Sequence, residues 1–486
     1  MSAPAHSVVL HGHFYQPPRE DPWTDEVPEQ PGAAPFHDWN ERIEQECYRP
    51  VTESRVLAED GSVTEVVNCL EWMSFDFGPT LLRWLERRAP DTYESVLEAD
   101  RASVRRLGHG NALAMPYHHP ILPLSDARDR VTEIRWGIAD FERRFGRRPE
   151  GMWLPETAVD SSTLDALAAE GILFTVLAPH QVEPAPTDGR PIAHHTSDGR
   201  QIALFVYDGS LSHGVAFGEL LRDGVAWAES MVRAMDVGST RAVLRSVATD
   251  GETFGHHHMF AEMALARAIT ELRGGPSVRL ENYASFLARE GATGSARLVE
   301  PSAWSCAHGV ERWRSACGCR ADVGVESSQA WRGPLREALG WLAGQLHDVF
   351  EAGGVALLGD PWAARDAYGA VAGAIDPAER TRFVEQWRSE RGFDPTNADA
   401  TKRSWELLEM ERNALRLFTS CAWFFDDVGG VEPGQVLRYA ARALDLAETD
   451  DAVRDGFVSR LAAAKSNDPE IGSAADVFTS RDVAAR

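Results

Sequence analysis

The chain has 486 residues, 43% hydrophobic and 25% charged, a globular composition that excludes a disordered polymer. At about 100–200 residues per domain the length makes room for one large domain with an appendage. The formal charge of −25 argues against nucleic acid or an anionic membrane surface as partner and favours a neutral or cationic ligand. Lys402 and Lys465 are the only lysines among 49 basic residues, a skew that fits either GC-rich coding or a high-salt cytoplasm.

Residues 1–10 lack a basic start followed by a long apolar stretch, and no run approaches the roughly 18 apolar residues of a membrane span, so a soluble, cytoplasmic protein is expected. Cys47, Cys69 and Cys421 sit in apolar or aromatic contexts that suit reduced core thiols rather than a disulfide scaffold.

A short apolar run over 7–10 predicts a buried strand, and His11-Gly-His13-Phe-Tyr-Gln16 follows it. His11 and His13 share strand parity, so both point to one face if the strand continues that far. The next polar cluster, from His109 through Asn111 to Tyr117, His118 and His119, is broken by Gly and Pro and reads as pocket lining or an unusual loop. A helix over 127–145 precedes Gly151-Met-Trp153-Leu-Pro155-Glu156, where an apolar segment ends on a carboxylate before a helix over 161–170. Further strands are expected over 171–177, 202–207 and 243–247. The last of them delivers Asp250, Glu252, His256, His257 and His258 in one short segment. Strands alternating with helices predict parallel β/α units, most commonly closed as a barrel, with the chemistry where strands end.

Beyond residue 300 comes Trp304-Ser-Cys306-Ala-His308-Gly-Val-Glu-Arg312-Trp313, followed by Cys317 and Cys319. Cys306, His308, Cys317 and Cys319 are zinc-ligand types, but a Cys-x-Cys pair departs from the usual Cys-x₂₋₄-Cys, so a loop with substrate or core contacts is expected ahead of a purely structural segment or a metal site, and no metal is assigned. From 331 the pattern turns helical: Leu335, Leu339, Leu342 and Leu346 repeat at helical spacing until Gly353 and Gly354, and a second helix over 404–425 ends before Gly429 and Gly430. Trp423 and Asp427 are expected as edge contacts of the site. The expected organisation is a barrel domain over 1–325, a helical domain over 326–467 and a frayed polar tail over 468–486.

Two spaced carboxylates, Glu156 and Asp250, are what glycoside hydrolysis requires, lying about 5–5.5 Å apart if configuration is retained and roughly 6.5–9.5 Å apart if it is inverted. The same His and Asp side chains also suit a catalytic zinc, which leaves a metal-dependent carbohydrate hydrolase, such as a zinc glycosidase or deacetylase, as the alternative. A non-catalytic glycan-binding protein is a third reading, against which the presence of both carboxylates argues.

Taken in order over about residues 7–320, these five segments resemble the five motifs of glycoside hydrolase family 57, in a less-characterised branch. Trp153-Leu-Pro-Glu156 resembles the segment carrying the nucleophile, and Asp250-Gly-Glu252-x-Phe-Gly255 the one carrying the general acid/base. The resemblance implies an incomplete (β/α)₇ barrel followed by a helical domain. It also implies a retaining amylase, 4-α-glucanotransferase or branching-type activity on α-linked glucan without an obligatory metal. Under it, Glu156 and Asp250 are the catalytic pair. His11, His13, Gln16, Asn111, His118, Trp153, Glu252, His256, Trp304, His308, Arg312, Trp313, Trp423 and Asp427 are the expected sugar contacts. One departure stands in the second motif, where better-known members carry an acidic residue and this chain has Asn111-Ala-Leu-Ala-Met115-Pro-Tyr117-His118-His119.

Overall fold

The computed structural model describes residues 6–235, 242–275, 278–322, 324, 326–394 and 396–484. The eight residues Ser7–Phe14 form a fully buried strand. Because both of its faces are covered, Val8–Leu10 are apolar without alternation before His11, as expected for a parallel strand. It pairs in parallel with Leu244–Asp250 on one edge and with Ser74–Phe77 on the other. Ser74–Phe77 pairs in turn with Ala112–Leu113, also in parallel. Single parallel bridges join Ala114 to Met152 and Gly151 to Phe174. Phe174–Leu177 then pairs with Gln201–Val206. Helices such as Pro90–Leu107 and Ser161–Ala169 alternate with these strands, so the N-terminal part is α/β and the part after 331 is helical.

The strands expected over 7–10, 171–177, 202–207 and 243–247 all exist, as do the helices Ala127–Phe145 and Ser161–Ala169. The division of the chain differs from a single break near 325. One compact unit holds residues 1–16, 29–115 and 141–300, and the other holds 17–28, 116–140 and 301–486.

Three expectations about the helical part are corrected. The helix Arg332–Leu358 runs through Gly353 and Gly354 and stops at Gly359, whose φ of +78° only glycine adopts freely. A glycine inside a helix costs about 1 kcal/mol, which burial of neighbours such as Phe350 and Leu358 outweighs. The helix expected over 404–425 is instead Ala398–Arg416 plus a short turn, Cys421–Phe424. Thr419 is bridged to Pro120 and the Ser420 N–H donates to the His119 carbonyl at 3.0 Å, a non-local pairing that interrupts the helical ladder. The tail expected to fray carries the helix Ala474–Ala484, because Phe478 is buried against Phe457 at 5.2 Å.

Buried arginines organise this second unit. The Arg365 guanidinium has no solvent exposure and donates to Asp129 at 2.7 Å, Glu411 at 2.7 Å and Thr132 at 2.9 Å. Burial alone would raise the Asp129 carboxyl, yet His347 and Arg365 hold it down at about 2. We predict that Arg365→Leu, which leaves two buried carboxylates short of their cation, costs about 3–5 kcal/mol in urea unfolding. A loss under 1 kcal/mol would show that the network is dispensable.

Candidate active site

Register builds the centre of the site. His13 lies opposite Asp250 on one neighbouring strand and opposite Asp76 on the other, so three ionisable side chains share one level at the C-terminal ends of adjacent parallel strands. Asp76 has no solvent exposure. One of its oxygens meets His11 Nε2 at 3.1 Å and the other meets His13 Nδ1 at 2.7 Å. Burial would raise the Asp76 carboxyl, but the two imidazoles outweigh it and hold it ionised. Burial pushes His11 down and keeps it neutral, whereas for His13 the carboxylates of Asp76, Asp250 and Glu252 overcome burial and lift it to about 9. The resting arrangement is therefore a neutral His11, an Asp76 carboxylate and a His13 imidazolium.

Asp250 differs from these buried neighbours because its side chain reaches solvent at the end of its strand, while protein atoms crowd it on the other sides. Loss of hydration on those sides, with the charges of Glu252, Glu156 and Asp76, raises it to about 7 against the opposing pull of His13. Glu252 is buried; Tyr48 Oη donates to its Oε1 at 2.5 Å and the Tyr15 N–H donates to the same oxygen at 3.2 Å. Tyr207, at the next strand end, is pushed up by burial and by the Asp250 charge.

Glu156 is half-buried and follows the bridged segment of Gly151 and Met152. Its backbone is left-handed (φ +58°, ψ +20°), and Thr157 has φ +49°. Consecutive non-glycine residues in this region cost about 1–3 kcal/mol each and persist only where neighbours enforce them. Gln181, fully buried, supplies that enforcement: its Nε2 donates to the Thr157 carbonyl at 2.8 Å. Its Oε1 accepts from Thr157 Oγ1 at 2.9 Å and from the Ala178 N–H at 2.8 Å.

The other expected contacts divide. Gln16 is nearly buried and hydrogen-bonds Tyr48, and His256 bonds Glu46 at 2.5 Å, so both brace the elements around Glu252. Trp153 has no exposure and stacks on His11 at 4.7 Å and on His13 at 5.3 Å, so its face meets imidazoles and not a sugar. Asn111 is buried, donating to the Leu70 carbonyl and accepting from Asn282, a structural brace. Within the second unit His118 is buried and bonds Glu133 at 2.7 Å. Trp313 and Trp423 are core residues without exposure, and Trp423 Nε1 donates to the Arg332 carbonyl. Arg312 is buried over the Phe424 ring at 4.0 Å. Asp427 accepts from Gly429, Ser466 and Asn467 and closes a loop. Trp304 remains half-exposed, and His308 lies among the cysteines.

Asp76, Gln181 and Tyr48 lie outside the sequence motifs, and Tyr15 lies within the first motif without a role that its type or spacing assigns. A lone carboxylate inside the aromatic run Phe75-Asp76-Phe77 is the signal that marks the first; the others depend on contacts with residues distant in the chain.

A model of glycosyl hydrolase family 57 matches residues 9–290, more than half of the chain. The chain belongs to this family. A second model, described as a domain of unknown function (DUF3536), matches residues 328–485. Over 102 residues the chain is 29% identical to alpha-amylase 1 of Dictyoglomus thermophilum, a stretch that makes up 21% of this chain and only 14% of that protein. Among solved structures, an exo-type maltose-forming amylase from Pyrococcus sp. ST04 superposes with a TM-score of 0.72 at 16% identity, over 94% of this chain and 83% of the other. The GH57-type branching enzyme of Pyrococcus horikoshii gives 0.56 at 14% identity, over 98% and 94%. At these identities the likeness is one of fold.

Two predictions follow from this geometry. In Asp76→Asn the His13 imidazolium loses its principal partner, so its NMR titration should move from about 9 toward the ordinary histidine range near 6.5; an unchanged titration would show that Asp76 does not hold the charge. Gln181→Ala, which leaves the Thr157 turn unsupported, should cost about 1–3 kcal/mol in chemical denaturation.

Proposed function

We propose that this protein is a retaining glycoside hydrolase or transglycosylase acting on α-linked glucan, with Glu156 as nucleophile and Asp250 as general acid/base. The observation that carries the reading is Asp250 itself: a solvent-reachable carboxyl near Glu156, raised to about 7. A general acid must hold its proton near neutral pH, and a carboxylic acid does so only where its environment penalises the anion. Family membership and the named activities of its relatives, amylases and a branching enzyme, support α-glucan as the substrate class.

The scaffold in this reading is an incomplete (β/α)₇ barrel. Seven parallel segments follow one another around it, and the Asp208 N–H donating to the Ser246 carbonyl at 2.8 Å supports an approach of its last two members. Glu156 attacks the anomeric carbon while Asp250 protonates the leaving glycosidic oxygen, giving a glycosyl-enzyme. Asp250, now ionised, then takes a proton from water or from an acceptor hydroxyl as that oxygen displaces Glu156. The His13 imidazolium favours the anionic state of Asp250 at this second stage, so the residue can alternate between acid and base near neutral pH. Tyr48 and the Tyr15 N–H hold Glu252 beside the pair.

Wild type with maltoheptaose or amylose should yield products both shorter and longer than the input if transfer operates, or only shorter ones if hydrolysis does. Glu156→Gln and Asp250→Asn should each lower kcat by about 10²–10⁴-fold. Full activity in Glu156→Gln would overturn the assignment, and no product from wild type would remove α-1,4-glucan as the substrate. Activity should fall as pH rises through about 7, where Asp250 loses its proton. The folded pKa lies above the ordinary aspartate value of 3.8, so the stabilising contribution of protonated Asp250 is full below about 4 and is lost as pH rises through 7. Asp250→Asn should accordingly melt above wild type at pH 8 and close to it at pH 4.

A further inference from the structure

Outside the carboxylate site, one cluster within the second unit gathers metal-ligand chemistry that the proposed reaction does not use. Cys306, His308, Cys317 and Cys319 bring one donor atom each to within 4.8 Å of one another. Cys306 Sγ lies 4.0 Å from Cys317 Sγ and 3.9 Å from Cys319 Sγ, and Cys319 Sγ lies 3.6 Å from His308 Nδ1. The three thiols are free and too far apart to be bonded to one another. A tetrahedral zinc, with Zn–S about 2.3 Å and Zn–N about 2.0–2.1 Å, sets its ligands about 3.8 Å apart for S···S and about 3.6 Å apart for S···N. The observed separations match that tetrahedron.

We propose that these four residues form a structural zinc site that fastens the loop from Pro301 to Asp322 within the helical unit. The Cys-x-Cys spacing, which counts against a zinc knuckle in the sequence, is accommodated because Gly318 between the two cysteines takes a φ of +84° and turns both sulfurs inward. Backbone N–H groups of Arg312 and His308 donate to Cys306, and that of Ala307 to Cys319, the pattern of support that orients zinc thiolates. Three thiolates and a zinc ion carry one net negative charge. The buried Arg332 guanidinium stands beside it, donating to the Cys319 carbonyl at 2.9 Å and to the Phe425 carbonyl at 3.3 Å. Three soft sulfurs and an imidazole, four protein donors without a carboxylate, select zinc over calcium or magnesium and fill a tetrahedral coordination sphere as a structural site does.

The test uses the full chain, desalted and analysed for metal by mass spectrometry. About one zinc per chain is expected, released by a thiol-specific mercurial, and Cys317→Ser and His308→Ala should lower the zinc content by about five-fold or more. Cobalt(II) loaded in place of zinc should show thiolate-to-metal charge transfer and the intense visible bands of tetrahedral cobalt. This readout on wild type stands even if a variant misfolds. Asp126→Asn, in the other cluster of metal-ligand types (Asp126, Asp129 and His347), should keep the zinc. Protein that takes up neither zinc nor cobalt with thiolate bands overturns the proposal, as does zinc retained in a folded Cys317→Ser variant and lost in Asp126→Asn.

Discussion

An ionised carboxylate with no access to water, shared by two histidines, is the interaction on which the candidate site rests. Stripping Asp76 of its hydration costs several kcal/mol, and only full hydrogen bonding with at least one cationic partner offsets that cost. His11 and His13 meet the requirement because they occupy alternate positions on one buried strand whose neighbour presents Asp76 in register. The same charge fixes His13 as an imidazolium, and the imidazolium in turn tempers the upward push on Asp250. Asp76 therefore tunes the acidity of a residue on another strand, with His13 as the intermediary. Its buried pairings also fix the rings that Trp153 covers.

The two proposed catalytic carboxylates reach their positions by different physical means. Asp250 is delivered by strand register, at the end of seven paired residues, and needs no unusual backbone. Glu156 sits in a strained left-handed turn that Gln181 holds in place through Thr157. Strain supported by a buried amide limits the orientations open to the carboxylate, which benefits a nucleophile that must approach along one line. Both side chains are reachable from solvent, while the groups that shape their chemistry are buried.

In the second unit, buried ion pairs join the helices. Arg365, Arg412 and Arg380 lie within the helical core and are matched by Asp129, Glu411, Glu409 and Asp25. Such pairs specify which helices pack together more than they stabilise the packing, because their desolvation cancels much of their attraction. The cysteine-rich segment after Pro301 lacks long secondary structure, so it relies on cross-links: Arg332 to the Cys319 carbonyl, Asp426 to the N–H groups of Ala321 and Asp322, and the proposed metal.

By itself the sequence determined the α/β character of the first part, the helical character of the second, and the family, because apolar periodicity and ordered motifs are local properties. It also pointed to Glu156, Asp250, His11, His13 and Glu252. Local pattern fails for the large aromatics: Trp153 and Trp313, expected as stacking faces for a sugar, and Trp423, expected at the edge of the site, are buried, since a tryptophan suits a core and a binding face equally well until its neighbours are known. The Cys-x-Cys spacing of the Cys306 cluster argues against zinc, although spacing constrains a metal site only for a given backbone path, and the path here depends on a left-handed Gly318. Tertiary structure alone decided the partnership of Asp76 with two histidines, the Gln181 clamp, the Pro120–Thr419 bridge that breaks a helix and the burial of the C-terminal helix. Each of these joins residues far apart in the chain, and which distant partners meet is settled by the packing of whole elements and not by any local pattern.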